Sequence, residues 1–167
     1  MGADSKELAL FYFKCGHIIM KIYRVSFIGH REIDGFSFIE EQVESIVKNL
    51  IETKEYVEFY VGRNGEFDII VASVIKRAQR DYGNANNSLI LVIPYPIANM
   101  KDMEKYYDEV IYPCELYNVH YKSAITKRNE WLIDNSEMLV AYVVRKFGGA
   151  YECLKKARLK DIIIKEI

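Results

Sequence analysis

"SLILVIPYP", residues Ser88 to Pro96, is a nearly unbroken apolar run closed by two prolines. A half-solvated strand alternates apolar and polar residues, whereas a strand covered by helices on both faces is apolar throughout, so this run predicts a central parallel strand. Pro94 and Pro96 lack the N–H that a ladder needs, which sets its carboxyl end. Working outward, "KIYRVSFIG" and "YVEFYVG" are short, β-branched and aromatic, and each ends in glycine. The segments that follow them, "FSFIEEQVESIVKNLIETK" and "EFDIIVASVIKRAQRDYG", repeat apolar residues at helical spacing. The expected inward residues are Phe38, Ile39, Val43, Ile46, Val47 and Leu50 on the first helix, and Phe67, Ile70, Val71, Val74, Ile75 and Ala78 on the second.

Beyond Pro96 the pattern continues as a short helix "MKDMEKYYD", a strand "EVIYP", a loop "CELYNVHYKS", a helix "AITKRNEWLIDNS", a strand "MLVAYVV", a helix "GAYECLKKARLK" and a last strand "DIIIKEI". Strand and helix alternating in this way predict an α/β domain with an open, mostly parallel sheet of about six strands and helices on both faces. At 167 residues the chain fits one domain, expected over residues 21–167. Residues 1–20 read as an N-terminal extension of uncertain status. Leu8, Phe11, Tyr12 and Cys15 within it repeat at three to four residues, as a helix would.

Charge and composition exclude several functions. Lys and Arg number 23 against 24 Asp and Glu, so there is no basic footprint for a nucleic-acid backbone. Cys15, Cys114 and Cys153 stand far apart without a C-x-x-C, which fits a reducing, cytoplasmic setting rather than a disulfide scaffold. No stretch approaches the ~18 apolar residues of a membrane span. His17 and His120 have no carboxylate at ligand spacing, so no metal is expected, and no G-x-S-x-G elbow offers a serine nucleophile.

In open parallel sheets ligands bind beyond the carboxyl ends of the strands, where free N–H groups at helix starts favour anions. The residues at those ends are Gly29, His30 and Arg31; Gly62, Arg63, Gly65, Glu66 and Asp68; Pro94 and Tyr95; Arg128 and Asn129; and Gly148, Gly149 and Glu152. Glycine allows close approach of the backbone to a phosphate or ribose. Arginines supply a planar fork of donors. Asn129 and Asp134 offer partners for a ribose or base edge, Tyr95 offers a stacking face, and His30 titrates near neutrality. Each residue alone also has a plainer reading, as a tight turn, a helix cap or a solvated charge; their convergence on one sheet edge is the argument for a site.

"FIGHRE", "GRNGEFDIIVASV", "LILVIPYP", "YYDEVIYP", "YKSAITKRNEWLIDNSEMLVAYV" and "GGAYECLKKA" together resemble, in order, the motifs of the SLOG superfamily of Rossmann-like domains, near its YpsA-like branch of bacterial and phage proteins. The resemblance spans residues 21–167 and implies a pocket for a nucleotide or nucleotide-derived ligand, with no resident cofactor and room for a homodimer. More distantly the chain is similar to the LOG enzymes, which cleave a nucleoside monophosphate to base and ribose phosphate. Their Arg-Lys pair corresponds to Arg128 and Asn129, and the glycines of their P-G-G-x-G-T-x-x-E loop to Gly148 and Gly149. Ala150, Tyr151 and Glu152 depart from the remainder, and the family's glutamate would fall near Leu154 or Lys155. N-glycoside cleavage needs a carboxylate, so binding is expected ahead of cleavage. Glu66, Asp68 and Glu152 remain the candidate catalytic carboxylates for the enzymatic alternative. A protein-interaction domain with a vestigial pocket is the third reading.

Overall fold

The computed structural model describes residues 20–167; the N-terminal extension and its helical periodicity lie outside the described residues. Six strands, β1 (Ile22–Gly29), β2 (Tyr56–Val61), β3 (Asn87–Val92), β4 (Glu109–Ile111), β5 (Met138–Tyr142) and β6 (Ile163–Glu166), form one sheet in the order β4-β3-β2-β1-β5-β6. Every pairing is parallel. The expected fold class holds, and the sheet is parallel throughout. Five helices connect the strands: α1 (Phe36–Thr53), α2 (Glu66–Tyr82), α3 (Met100–Tyr106), α4 (Tyr121–Asp134) and α5 (Gly149–Ala157).

Side chains alternate across a strand, and this divides the core in two. Val25 and Phe27 of β1, Val57, Phe59 and Val61 of β2, and Val140 and Tyr142 of β5 share one buried cluster with α1 and α2. Ile28, Leu139 and Ala141 pack on the opposite side with Ile133 of α4 and Cys153 and Leu154 of α5. Tyr60, Ile90 and Val92 continue that side beneath Leu132 and Trp131 of α4. Leu89, Leu91, Val92 and Ile93 within the opening apolar run are fully buried, which is why that run shows no alternation.

Two expectations need correction. Phe38 does not face the core: it is 60 % exposed. The buried stripe of α1 is Ile39, Val43, Val47, Leu50 and Ile51, and Phe38, one residue or about 100° from Ile39, falls outside it. The helix expected from Ala124 begins earlier, at Tyr121, because the His120 side chain accepts a hydrogen bond from the Lys122 N–H and caps it.

The strand order decides where a site can form. From β1 the chain moves outward through β2 and β3 to β4, then returns to place β5 on the other flank of β1. Gly29 and Tyr142 end their strands side by side, yet the chain leaves them toward helices on opposite faces. A crevice opens at such a reversal.

Candidate functional site

That crevice is a cavity of about 420 Å³, lined from four directions. The segment after β1 contributes Gly29, His30, Arg31 and Glu32. The start of α2 contributes Asn64, Gly65 and Asp68; α4 contributes Ile125, Arg128 and Asn129; and the β5–α5 connection contributes Arg145 and Phe147 through Ala150.

Two glycines let the first two walls meet. A Cβ on Gly29 would stand 2.3 Å from the Phe67 ring, and one on Gly65 would stand 2.7 Å from the Arg31 Cα. Across this contact the Glu66 N–H donates to the Arg31 carbonyl at 2.8 Å. The Glu66 carboxylate accepts the Ile33 N–H at 2.9 Å. Glu66 therefore staples the segment after β1 to α2 and does not line the cavity.

Arg128 is the centre of the site. It is 5 % exposed, and its Nε has no hydrogen-bond partner. No carboxylate among the described residues comes within ion-pair distance of it, although the Asp68 charge lies near enough to act on it. Burial lowers its pKa, while the charges of Asp68, Cys153 and Tyr95 act in the opposite direction. Gly62 makes room for it: a Cβ there would lie 2.3 Å from one guanidinium nitrogen and 2.7 Å from Asp68 Oδ2. Asp68 accepts the Asn64 N–H at 2.9 Å. Burial raises its pKa despite the nearby Arg128 charge and that hydrogen bond. A desolvated guanidinium thus faces a carboxyl group whose ionised form is disfavoured, an arrangement receptive to an anion.

The fourth wall supplies the complementary backbone. Gly148 turns into α5 at φ 92°, a left-handed conformation that suits glycine, and no side chain caps the helix. The N–H groups of its first turn therefore carry the partial positive charge of a helix start into the cavity. His30, only 8 % exposed, joins this wall to β1 by accepting the Arg145 N–H on Nε2 at 3.0 Å. The Arg145 side chain lies 3.9 Å from Glu32 at the rim.

Of the residues expected from the sequence, Gly29, His30, Arg31, Gly65, Asp68, Arg128, Asn129, Gly148 and Gly149 come together around the cavity. Gly62 sits behind Arg128. Arg63, Pro94, Tyr95, Glu66 and Glu152 are not in the lining. Glu152 is exposed and pairs with Lys155 at 3.3 Å, one turn along α5. Asp134 lies at the far end of α4 and pairs with Lys160. Asn64, Ile125, Arg145, Phe147 and Glu32 line the cavity without having been singled out. Ile125 lies three and four residues before Arg128 and Asn129, so helical spacing puts it on their face. Phe147, 69 % exposed, offers the aromatic face that Tyr95 was expected to provide.

Cys153 lies behind this wall with its thiol pushed up to about 12 by burial and directed at the Asn129 carbonyl, which disfavours the nucleophilic thiolate. No group of three or more His, Cys, Asp or Glu among the described residues is arranged to hold a metal ion. No helix among them is long and apolar enough to cross a membrane.

The sheet order and the crevice at its reversal define a Rossmann-like α/β domain. Among solved structures, the chain is similar to DNA processing protein A (DprA) from Streptococcus pneumoniae, with a TM-score of 0.61 and 16 % identity over 87 % of this chain and 50 % of that one. The chain spans half the length of that relative, and the likeness shows the shared Rossmann-like α/β fold. No family model matches the chain, and no curated protein matches it in sequence.

Proposed function

We propose that the protein binds a nucleotide or nucleotide-derived ligand in the crevice between β1 and β5. The observation that carries this reading is Arg128, a buried guanidinium with an unpartnered Nε beside an uncapped helix start. Unpaired buried charges are costly, and a phosphate accepted jointly by Arg128 and the first N–H groups of α5 would satisfy both. Arg31 and Arg145 add positive charge at the mouth, and Phe147 offers a base a stacking surface. The placement near the YpsA-like branch and a cytoplasmic setting rest on the sequence motifs and composition. DprA's name speaks of DNA, but the balanced charge of this chain favours a small ligand as its partner.

The test is a thermal-shift panel of nucleoside monophosphates, NAD, ADP-ribose, cyclic nucleotides and a short oligonucleotide. A ligand at about 100 times its dissociation constant stabilises the folded state by about 2.7 kcal/mol, a readily measured shift. Silence across the panel refutes the proposal, and a response to the oligonucleotide alone redirects it to nucleic acid.

One observation favours cleavage as a second reading. Of the three candidate carboxylates only Asp68 lines the cavity, and burial holds its pKa up, as a general acid requires. Release of free base from a bound nucleotide, abolished in Asp68→Asn, is the expected result on this reading. Turnover that survives the substitution removes Asp68 from it.

A further inference from the structure

We infer that His30 is a proton-operated latch on the β5–α5 wall of the crevice: protonation of its Nε2 releases the Arg145 backbone and frees the segment carrying Phe147 and Gly148. That this movement would alter ligand affinity rests on the binding reading above; the latch itself does not.

The geometry is that of a buried hydrogen bond joining two walls, which the exposed Arg145–Glu32 ion pair also links at the rim. His30 is the first residue beyond β1, buried at 8 % exposure, and its Nε2 accepts the Arg145 N–H at 3.0 Å. An imidazole nitrogen that accepts cannot carry a proton, so the bond fixes the neutral tautomer with hydrogen on Nδ1. After protonation two N–H groups would oppose each other. Imidazolium would also lie near the Arg145 guanidinium, whose only ion pair among the described residues is the 3.9 Å contact with the exposed Glu32. The ring is further held edge-on to Tyr142 at 6.2 Å, and the Tyr142 hydroxyl donates to the Asp34 carbonyl at 3.2 Å.

The charged and titratable groups facing His30 can be named element by element. Arg145 comes from the β5–α5 segment and Tyr142 from β5. Arg31 and Glu32 come from its own segment, while Asp68 of α2 and Arg128 of α4 lie on other walls of the cavity; α5 contributes only Gly149 and Ala150. Burial and the Arg145 charge both lower the His30 pKa from its ordinary 6.5. The closed wall therefore binds fewer protons than the opened one, and acid favours opening. With the freed imidazole near 6.5, the opening constant rises toward tenfold per pH unit below that value, then levels at the closed-state pKa.

Hydrogen exchange on the ligand-free full chain, between about pH 7.5 and about pH 5, reads this directly. The protection factor of the Arg145 amide, corrected for intrinsic exchange, should fall with acid while those of Leu139 to Ala141 hold. His30→Gln keeps an acceptor near the Nε2 position but does not titrate, so its protection at Arg145 should stay flat. In the unaltered chain, the Arg145 amide resonance should move with the same midpoint as the His30 ring protons. Equal protection at both pH values, or a His30 titration that leaves the Arg145 amide unmoved, overturns the latch. Because no ligand is present, neither result depends on nucleotide binding.

Discussion

Replacing Arg128 by methionine should make the ligand-free protein more stable and the liganded protein less so. Arg128 is 95 % buried by its 5 % residual exposure, and its Nε meets no acceptor. An unsatisfied buried donor costs about 1–3 kcal/mol. Methionine fills a similar elongated space with apolar atoms and removes that donor. Part of the gain is lost at Asp68, whose attraction to Arg128 disappears, although burial already disfavours its charge. A net gain of about 1 kcal/mol is expected, which in a domain of this size raises the melting temperature by about 2–4 °C. With a saturating ligand from the panel the order should reverse, because the stabilisation of about 2.7 kcal/mol reached at 100 times the dissociation constant is available only to the unaltered protein. Differential scanning calorimetry of both proteins, each with and without ligand, measures all four states. A ligand-free Arg128→Met protein destabilised by more than about 1 kcal/mol would mean that Arg128 is a structural residue, and the reasoning would fail.

Three further outcomes follow from the same geometry. Gly62→Ala places a methyl group against the movable ends of Arg128 and Asp68, so the variant should fold, losing about 1 kcal/mol in urea titration, yet lose the ligand-induced shift. Gly29→Ala drives a Cβ into the Phe67 ring at 2.3 Å, where little can yield, and should lose about 1–3 kcal/mol or more in the same assay. On brief alkylation of the native protein near neutral pH, mass spectrometry should find Cys114, which is exposed, modified and Cys153 protected, since Cys153 is buried with its thiol pushed up to about 12.

Much of the fold was legible because local signals agreed with the global arrangement. The unbroken run from Ser88 announced a covered strand, and the glycines after β1 and β2 marked turns toward helices. Strand order was not legible: alternating strands and helices fit several parallel sheets, and only long-range pairing puts β5 beside β1. Phe38 misled because a short apolar pair at a helix start does not reveal which member turns inward. In the site, the two glycine loops and Arg128 were visible as residue types. The state of Arg128 was not, since it depends on Gly62 and Asp68, both some sixty residues earlier, and on the burial that assembles around all three. Arg145 was passed over because its importance lies in a backbone N–H given to His30, which side-chain chemistry does not advertise. Phe147 lines the cavity and Tyr95 does not for a related reason: both follow strand ends, but of β3 and β5 it is β5 that borders the reversal of the sheet.

The central claim is that Arg128 and the start of α5 together receive an anionic group. A crystal structure with a stabilising nucleotide bound tests it most directly. The account predicts a phosphate within hydrogen-bond distance of the Arg128 guanidinium and of the Gly149 or Ala150 N–H, with the base toward Phe147. A ligand seated elsewhere, with Arg128 Nε still unpartnered beside an unoccupied helix start, would contradict it.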